Sequence, residues 1–211
     1  MHIARTNFSG DPNLGVYGLA TDRYALIGCT DKHTNVLGEK VFQISVCDTS
    51  LTGLFLAGNS SKIIVPHIAE KYEIDTLKKI ADVLVLKTDY TALGNLVLMN
   101  DKGCLISVLL KKNQDVIEKF LGLPTDVAKI AGMHIIGSAA VCNNKGCLVS
   151  PSAKEKDMEK IEDVLGVKTD VGTVNFGSQF VRSGIIVNSH GCLAGDMTSG
   201  PELSRMDEIF G

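Results

Sequence analysis

Apolar residues along the chain alternate with short polar turns in a pattern that repeats. Asn100-Asp101-Lys102-Gly103-Cys104-Leu105, Asn143-Asn144-Lys145-Gly146-Cys147-Leu148 and Asn188-Ser189-His190-Gly191-Cys192-Leu193 share one form. Each follows an apolar run (Leu96–Met99, Ala139–Cys142, Ile185–Val187) and precedes another. Apolar run, polar turn with glycine, apolar run is the signature of a β-hairpin, with the glycine expected at positive φ. Weaker copies stand at Asn59-Ser60-Ser61-Lys62-Ile63-Ile64 and at Ala20-Thr21-Asp22-Arg23-Tyr24-Ala25. Taken from Ala20, Asn59, Asn100, Asn143 and Asn188, the spacings are 39, 41, 43 and 45 residues. Five units of the mean length, 42, take up 210 of the 211 residues, so the chain reads as one domain over 1–211.

A helical pattern follows each hairpin. Lys112–Leu121, Lys156–Leu165 and Pro201–Phe210 each end at a glycine (Gly122, Gly166, Gly211) placed as a helix C-cap. Met158, Ile161, Val164 and Leu165 form one apolar stripe; Ile74, Leu77, Ile80, Ala81 and Leu84 repeat it in the second unit, and Asp31–Phe42 is a poor copy in the first. Short extended stretches come next, at Gln43–Cys47, Val85–Thr88, Leu123–Val127 and Val167–Val171. The fifth unit lacks this strand, whereas the first has a spare one, Met1–Arg5. Both oddities vanish if the units close into a ring and the N-terminal strand completes the last blade, which also pairs strand edges that would otherwise be bare. Five strand–hairpin–helix units with β inside and α outside form the α/β architecture called the pentein, or five-bladed α/β propeller, with pseudo-fivefold symmetry. The termini are then neighbours.

Composition narrows the function. Lys and Arg total 21 against 24 Asp and Glu, for a net charge of −3, so a ligand role resting on phosphate neutralisation is not favoured. There is no Trp, which argues against a base-stacking platform. No run approaches the ~18 apolar residues of a membrane span, and a cytoplasmic chain with reduced thiols is expected. The five His and six Cys show no zinc spacing, and Gly172–Gly177 lacks the Lys-Ser/Thr ending of a phosphate loop, so neither a metal nor a cofactor is expected. Lys78-Lys79, Lys111-Lys112 and the lysines of 154–160 read as solvated helix faces.

Specific segments then carry a resemblance. Thr91-Ala92-Leu93-Gly94-Asn95 with Asn100-Asp101 resembles the third repeat of the archaeal and eukaryotic translation initiation factor 6 family. Gly172-Thr173-Val174-Asn175-Phe176-Gly177-Ser178 with Val187-Asn188 is similar to its fifth, Gly58-Asn59 and Val65-Pro66 to its second, and Thr198–Leu203 to its final helix. The resemblance implies a pentein that binds the large ribosomal subunit on its intersubunit face and prevents joining of the small one. It implies docking chiefly on ribosomal protein beside the sarcin–ricin loop, with little direct nucleic-acid contact, as a monomer. Eukaryotic members also serve in large-subunit maturation and carry a C-terminal tail; the end at Gly211 points to the archaeal type.

Other penteins modify guanidino groups with a central Cys, His and carboxylates, and His190 with Cys192 invites that reading. Cys104, Cys147 and Cys192 occupy one position of three repeats, however, which packing explains, so no catalytic residue is expected. The binding face is expected five residues before each anchor, at Gly15, Leu54, Asn95, Ser138 and Ser183, with Gly53, Gly94 and Gly137 just before three of them. These should meet at one pole as a flat platform able to cover ~800 Å² of a partner. By the resemblance Leu54 and Asn95 match interface positions, with Leu54 standing where eukaryotic members have Arg. A competing reading makes Asn95 a turn cap that bonds its own backbone.

Overall fold

The computed structural model describes residues 1–29 and 31–211. In chain order, the described elements begin with β1 (His2–Thr6), β2 (Gly18–Ala20), β3 (Ala25–Ile27), β4 (Val41–Gln43) and α1 (Thr52–Phe55). Next come β5 (Ala57–Gly58), β6 (Lys62–Pro66), α2 (Lys71–Leu77), β7 (Asp82–Leu86), β8 (Val97–Met99) and β9 (Cys104–Ser107). They are followed by α3 (Gln114–Leu121), β10 (Thr125–Ala128), α4 (Ile136–Ala139), β11 (Ala140–Cys142) and β12 (Gly146–Val149). The chain finishes with α5 (Glu155–Leu165), β13 (Lys168–Val171), β14 (Ile185–Val187), β15 (Gly191–Gly195) and α6 (Gly200–Phe210). Among the described residues these strands make five three-stranded sheets.

Each sheet is one blade. A hairpin joins an inner to a middle strand, and the outer strand lies parallel to the middle one after the crossover. In the last blade the outer strand is β1, which pairs with β15 in parallel, with Ile3 opposite Cys192. The N-terminal strand therefore closes the ring as the repeat arithmetic requires, and the Met1 amino group pairs with Asp207 on α6.

The middle strands are apolar except at their ends, at Lys62 and Ser107, because both faces of a blade are covered. Cys104 and Ile106 face α3 and meet Ala57 and Ile64 of the preceding blade; Leu105, on the opposite face, packs with Cys147 and Ile161 of the next. The same arrangement recurs between every pair of neighbours, including the last and first blades, where Ile186 and Leu193 meet Ala25 and Ile27. The core is five inter-blade layers in a circle.

The helices at 114–121 and 155–165 end at Gly122 and Gly166 in the left-handed conformation, φ +66° and +61°. Two expectations need correction. The stripe from Ile74 does not continue as helix: α2 stops at Leu77, Ile80 and Ala81 pack from a turn, and Leu84 already belongs to β7, which also begins before Val85. In the first unit Asp31–Phe42 holds a 3₁₀ turn, Thr34–Leu37, ended by Gly38 at φ +107°, and its last two residues already belong to β4, which takes the place of the strand expected at Gln43–Cys47. Only Leu37 of that turn is buried, too little apolar surface to hold a helix against the blade.

The Asn-x-x-Gly motif has a meaning that its sequence does not disclose. In each turn the Asn Oδ1 accepts backbone N–H groups two and three residues on, as Asn143 does from Lys145 (2.8 Å) and Gly146 (2.9 Å). Its Nδ2 donates to the next blade: Asn59 to Asn100 O, Asn100 to Asn143 O, Asn143 to Asn188 O, and Asn188 to Thr21 O. Thr21, not Ala20, is thus the first anchor; its Oγ1 accepts from Arg23 and Tyr24 but has no amide to pass on. Tyr24 supplies the missing donor, its hydroxyl reaching Asn59 O at 2.8 Å, and the circle of hydrogen bonds closes. The motif glycines do not adopt positive φ. They are required by contact: a Cβ on Gly103 would lie 1.9 Å from Val164 O, and one on Gly146 would lie 1.9 Å from Ile209 O, where the next blade's helix ends.

Candidate functional site

At the other pole each inner strand is entered through one helical turn. The residue before each turn, whether Asn13, Leu51, Ala92, Ile135 or Phe180, has φ near −80° and ψ from 47° to 72°. This shared kink of inverse γ-turn type aims all five turns at the axis. The second residue of successive turns is Gly15, Gly53, Gly94, Gly137 and Arg182. A Cβ on Gly53, Gly94 or Gly137 would stand 2.1, 2.0 and 2.1 Å from the carbonyl oxygen of the equivalent residue in the preceding blade. The turns therefore pack backbone to backbone, and no side chain fits between those blades.

The shift of the first anchor to Thr21 changes one equivalence. Gly15 corresponds to Gly53, Gly94 and Gly137, and the counterpart of Leu54, Asn95, Ser138 and Ser183 is Val16. The structure does bring Gly15, Leu54, Asn95, Ser138 and Ser183 together, with Val16, around one recess; Gly94 is buried beneath them. The pole is not flat. A cavity of about 370 Å³ opens at the centre, with Gly15 and Gly53 in its wall. Ser183 Oγ donates to Phe180 O at 2.8 Å. Asn95 is half-buried and its side-chain amide makes no hydrogen bond among the described residues, so it does not cap its own turn. Arg182, which the sequence reading passed over, stands where the glycine series breaks; the irregularity Gly, Gly, Gly, Gly, Arg was the available signal.

The rim was also missed. Tight turns at 46–49, 130–133 and 174–178 hold consecutive residues at positive φ, including Cys47-Asp48 and Asn175-Phe176. In each case a carboxylate in the first turn of the same unit's outer helix, α2, α5 or α6, accepts their backbone N–H groups. Glu73 takes Cys47 and Asp48, Asp157 takes Ala131, and Glu202 takes Phe176 and Gly177. Burial alone would raise the Glu202 pKa, but its bonds from Ser199, Thr173 and Gly177 outweigh that and hold it below its ordinary value. The clamp leaves Phe176 at φ +63° and 82% exposed, an aromatic side chain projecting from the rim.

The three repeat-related thiols, Cys104, Cys147 and Cys192, sit elsewhere. The position four residues past each anchor is filled by Ala25, Ile63, Cys104, Cys147 and Cys192, all 0% exposed, so one packing site takes any small or medium apolar group. Cys192 lies in the layer under α6, and burial pushes its pKa up to about 12, far from a thiolate at neutral pH. His190 is in the hairpin turn with Nε2 2.9 Å from Asp22 O. No group of three or more metal-ligating side chains occurs among the described residues, and no helix is long and apolar enough to cross a membrane.

Comparison with known proteins gives one consistent result. The eIF-6 family model matches residues 3–209. The chain is similar to translation initiation factor 6 of Pyrococcus horikoshii, 38% identical over 225 aligned residues that cover 100% of this chain and 99% of the relative. The factor of the same name from Methanococcus vannielii is 38% identical over 222 residues, with 99% and 98% covered. That from Saccharolobus islandicus is 34% identical over 225, with both chains covered in full.

Proposed function

The chain belongs to the eIF-6 family of translation factors, and from that membership we propose that it binds the large ribosomal subunit with the pole bearing Asn95 and thereby keeps the small subunit from joining. The observation that carries this reading is the pole itself. Five turns locked backbone to backbone present half-buried Leu54, Asn95, Ser138 and Ser183 around a recess, and the Asn95 amide is free to bond a partner. An exposed Phe176 on the rim adds the kind of aromatic anchor on which interface affinity concentrates.

Exclusion needs only occupancy: a rigid body seated on the surface that the small subunit requires blocks it without catalysis or conformational change. The net charge of −3 favours ribosomal protein over bare rRNA as the main contact, and an acidic body is steered towards basic protein. The factor acts in the cytoplasm, where ribosomes are, and turns over no guanidino substrate; Cys192, the one thiol placed beside a histidine in sequence, packs in the core.

Co-sedimentation with separated ribosomal subunits is the test. The wild type travels with the large subunit alone. Asn95→Arg keeps its circular dichroism spectrum and binds about five- to 150-fold more weakly, the equivalent of losing ~1–3 kcal/mol at one polar contact. A wild type that stays at the top of the gradient sinks the function; a folded Asn95→Arg that binds undiminished places the interface elsewhere.

A further inference from the structure

The glycine series around the recess breaks once, at Arg182, and the break puts a charge on the axis. The side chain is the floor of the recess and, at the same time, the roof of the narrow channel between the inner strands. It is the only charged residue lining either cavity among the described residues. Among the described residues its one hydrogen bond there runs from Nη2 to Gly53 O, on the second blade, at 3.3 Å, and no carboxylate pairs with it. A guanidinium has five N–H donors and stays cationic in proteins, so most of its capacity is unspent. Arg182 is half-buried, and a guanidinium partly withdrawn from water is best met by a group of opposite sign.

We propose that the recess receives a carboxylate of a protein partner and that Arg182 binds it. The chemistry of the walls selects that class. Leu54, Val16 and Phe180 supply apolar surface for the stem of a side chain or a chain end. Asn95, Ser138 and Ser183 supply neutral hydrogen-bonding groups at the mouth. One guanidinium matches one carboxylate in a two-pronged bond, whereas a doubly charged phosphate group is ordinarily met by several cations. The proposal rests on the reading that this pole faces the ribosome, and it names the chemistry of the contact: an acidic side chain or a C-terminal carboxylate of a ribosomal protein. Burial also pulls the Arg182 pKa down from its ordinary value.

The experiment has two arms. In the first, sodium propionate and inorganic phosphate are titrated at constant ionic strength into the ¹⁵N-labelled full chain, with the amides of Leu54, Asn95 and Ser183 observed. Propionate produces saturable shifts in the wild type, at least ten-fold weaker in Arg182→Met, and binds more tightly than phosphate. In the second, Arg182→Met loses at least ten-fold in large-subunit co-sedimentation while its melting temperature holds, and Arg182→Lys recovers part of the loss. Tighter binding of phosphate, or no saturable shift with propionate, overturns the carboxylate assignment. Undiminished subunit binding by Arg182→Met overturns it too, while leaving the ribosome-binding reading standing. A fall in melting temperature in both variants marks Arg182 as a structural plug and equally overturns it. Failure of the wild type to sediment with large subunits is a different result, and it strikes the parent reading.

Discussion

Tyr24→Phe removes one oxygen atom, and that atom closes the hydrogen-bond circle around the ring. The Tyr24 hydroxyl donates to Asn59 O at 2.8 Å; Tyr24 is 4% exposed and Asn59 4%, so water does not take its place easily. The ring of the side chain stays, and with it the packing against Leu26, Ile63 and Leu77. The loss is therefore that of a single hydrogen bond with its acceptor left buried and unpaired, worth roughly 1–3 kcal/mol. For a chain of this size each kcal/mol lowers the melting temperature by about 2–4 °C, so a fall of about 2–12 °C is expected. Urea unfolding followed by circular dichroism is the assay, with an unchanged slope and a lower midpoint, since the surface exposed on unfolding is the same. Tyr90→Phe, in an exposed loop at 39% exposure, is the control and moves neither quantity. If Tyr24→Phe is as stable as the wild type to within about 0.5 kcal/mol, the circle is not a cooperative device and Tyr24 is not standing in for a fifth asparagine.

Three other outcomes follow from the same framework. Deleting Met1–Arg5 strips β15 of its outer partner and exposes the last blade, so the whole ring melts at a much lower temperature; an unchanged melting curve would refute closure by β1. Gly103→Ala drives a methyl into Val164 O at 1.9 Å and costs about 1–3 kcal/mol, while Gly122→Ala, with open space around it but φ +66°, costs about 1–2 kcal/mol from backbone conformation alone; the crystal structure of Gly103→Ala shows the end of α5 displaced, that of Gly122→Ala does not. Glu202→Gln is less stable at pH 7 by roughly 1–3 kcal/mol through its lost charge-assisted bonds. Because the folded pKa of Glu202 lies below its ordinary 4.5, that stability is present above pH 4.5 and is lost as the pH falls through the folded value, so the urea midpoints of variant and wild type converge in acid. Midpoints that stay parallel down to pH 3 would contradict the clamp.

The repeat was legible in the sequence because the forces behind it are local and periodic. Hairpin turns, apolar runs and C-cap glycines recur at nearly constant spacing, and the arithmetic of a spare strand at one end and a missing one at the other called for a closed ring. The convergence of Gly15, Leu54, Asn95, Ser138 and Ser183 on one pole followed from the same symmetry. What failed was whatever depended on contact between blades. The hairpin glycines looked like turn residues, yet they are glycine because the next blade's helix end leaves no room for a Cβ. The first anchor was misplaced by one because Thr21 does half of an asparagine's work and Tyr24, three residues on, does the rest.

The weak first and second helices show the same division. Their apolar spacing could be counted, but whether a turn propagates is decided by how much surface the neighbouring blade covers. Arg182 is the clearest case. In sequence it is one basic residue between Val181 and Ser183, marked only by standing where the other repeats have glycine. Only the circular stacking of five turns puts it on the axis in a position where its neighbours are glycine, because a ring brings residues 129 positions apart, such as Arg182 and Gly53, within hydrogen-bond reach. Periodicity along a chain specifies what repeats; the closure of the ring in space decides which departures from the repeat become a site.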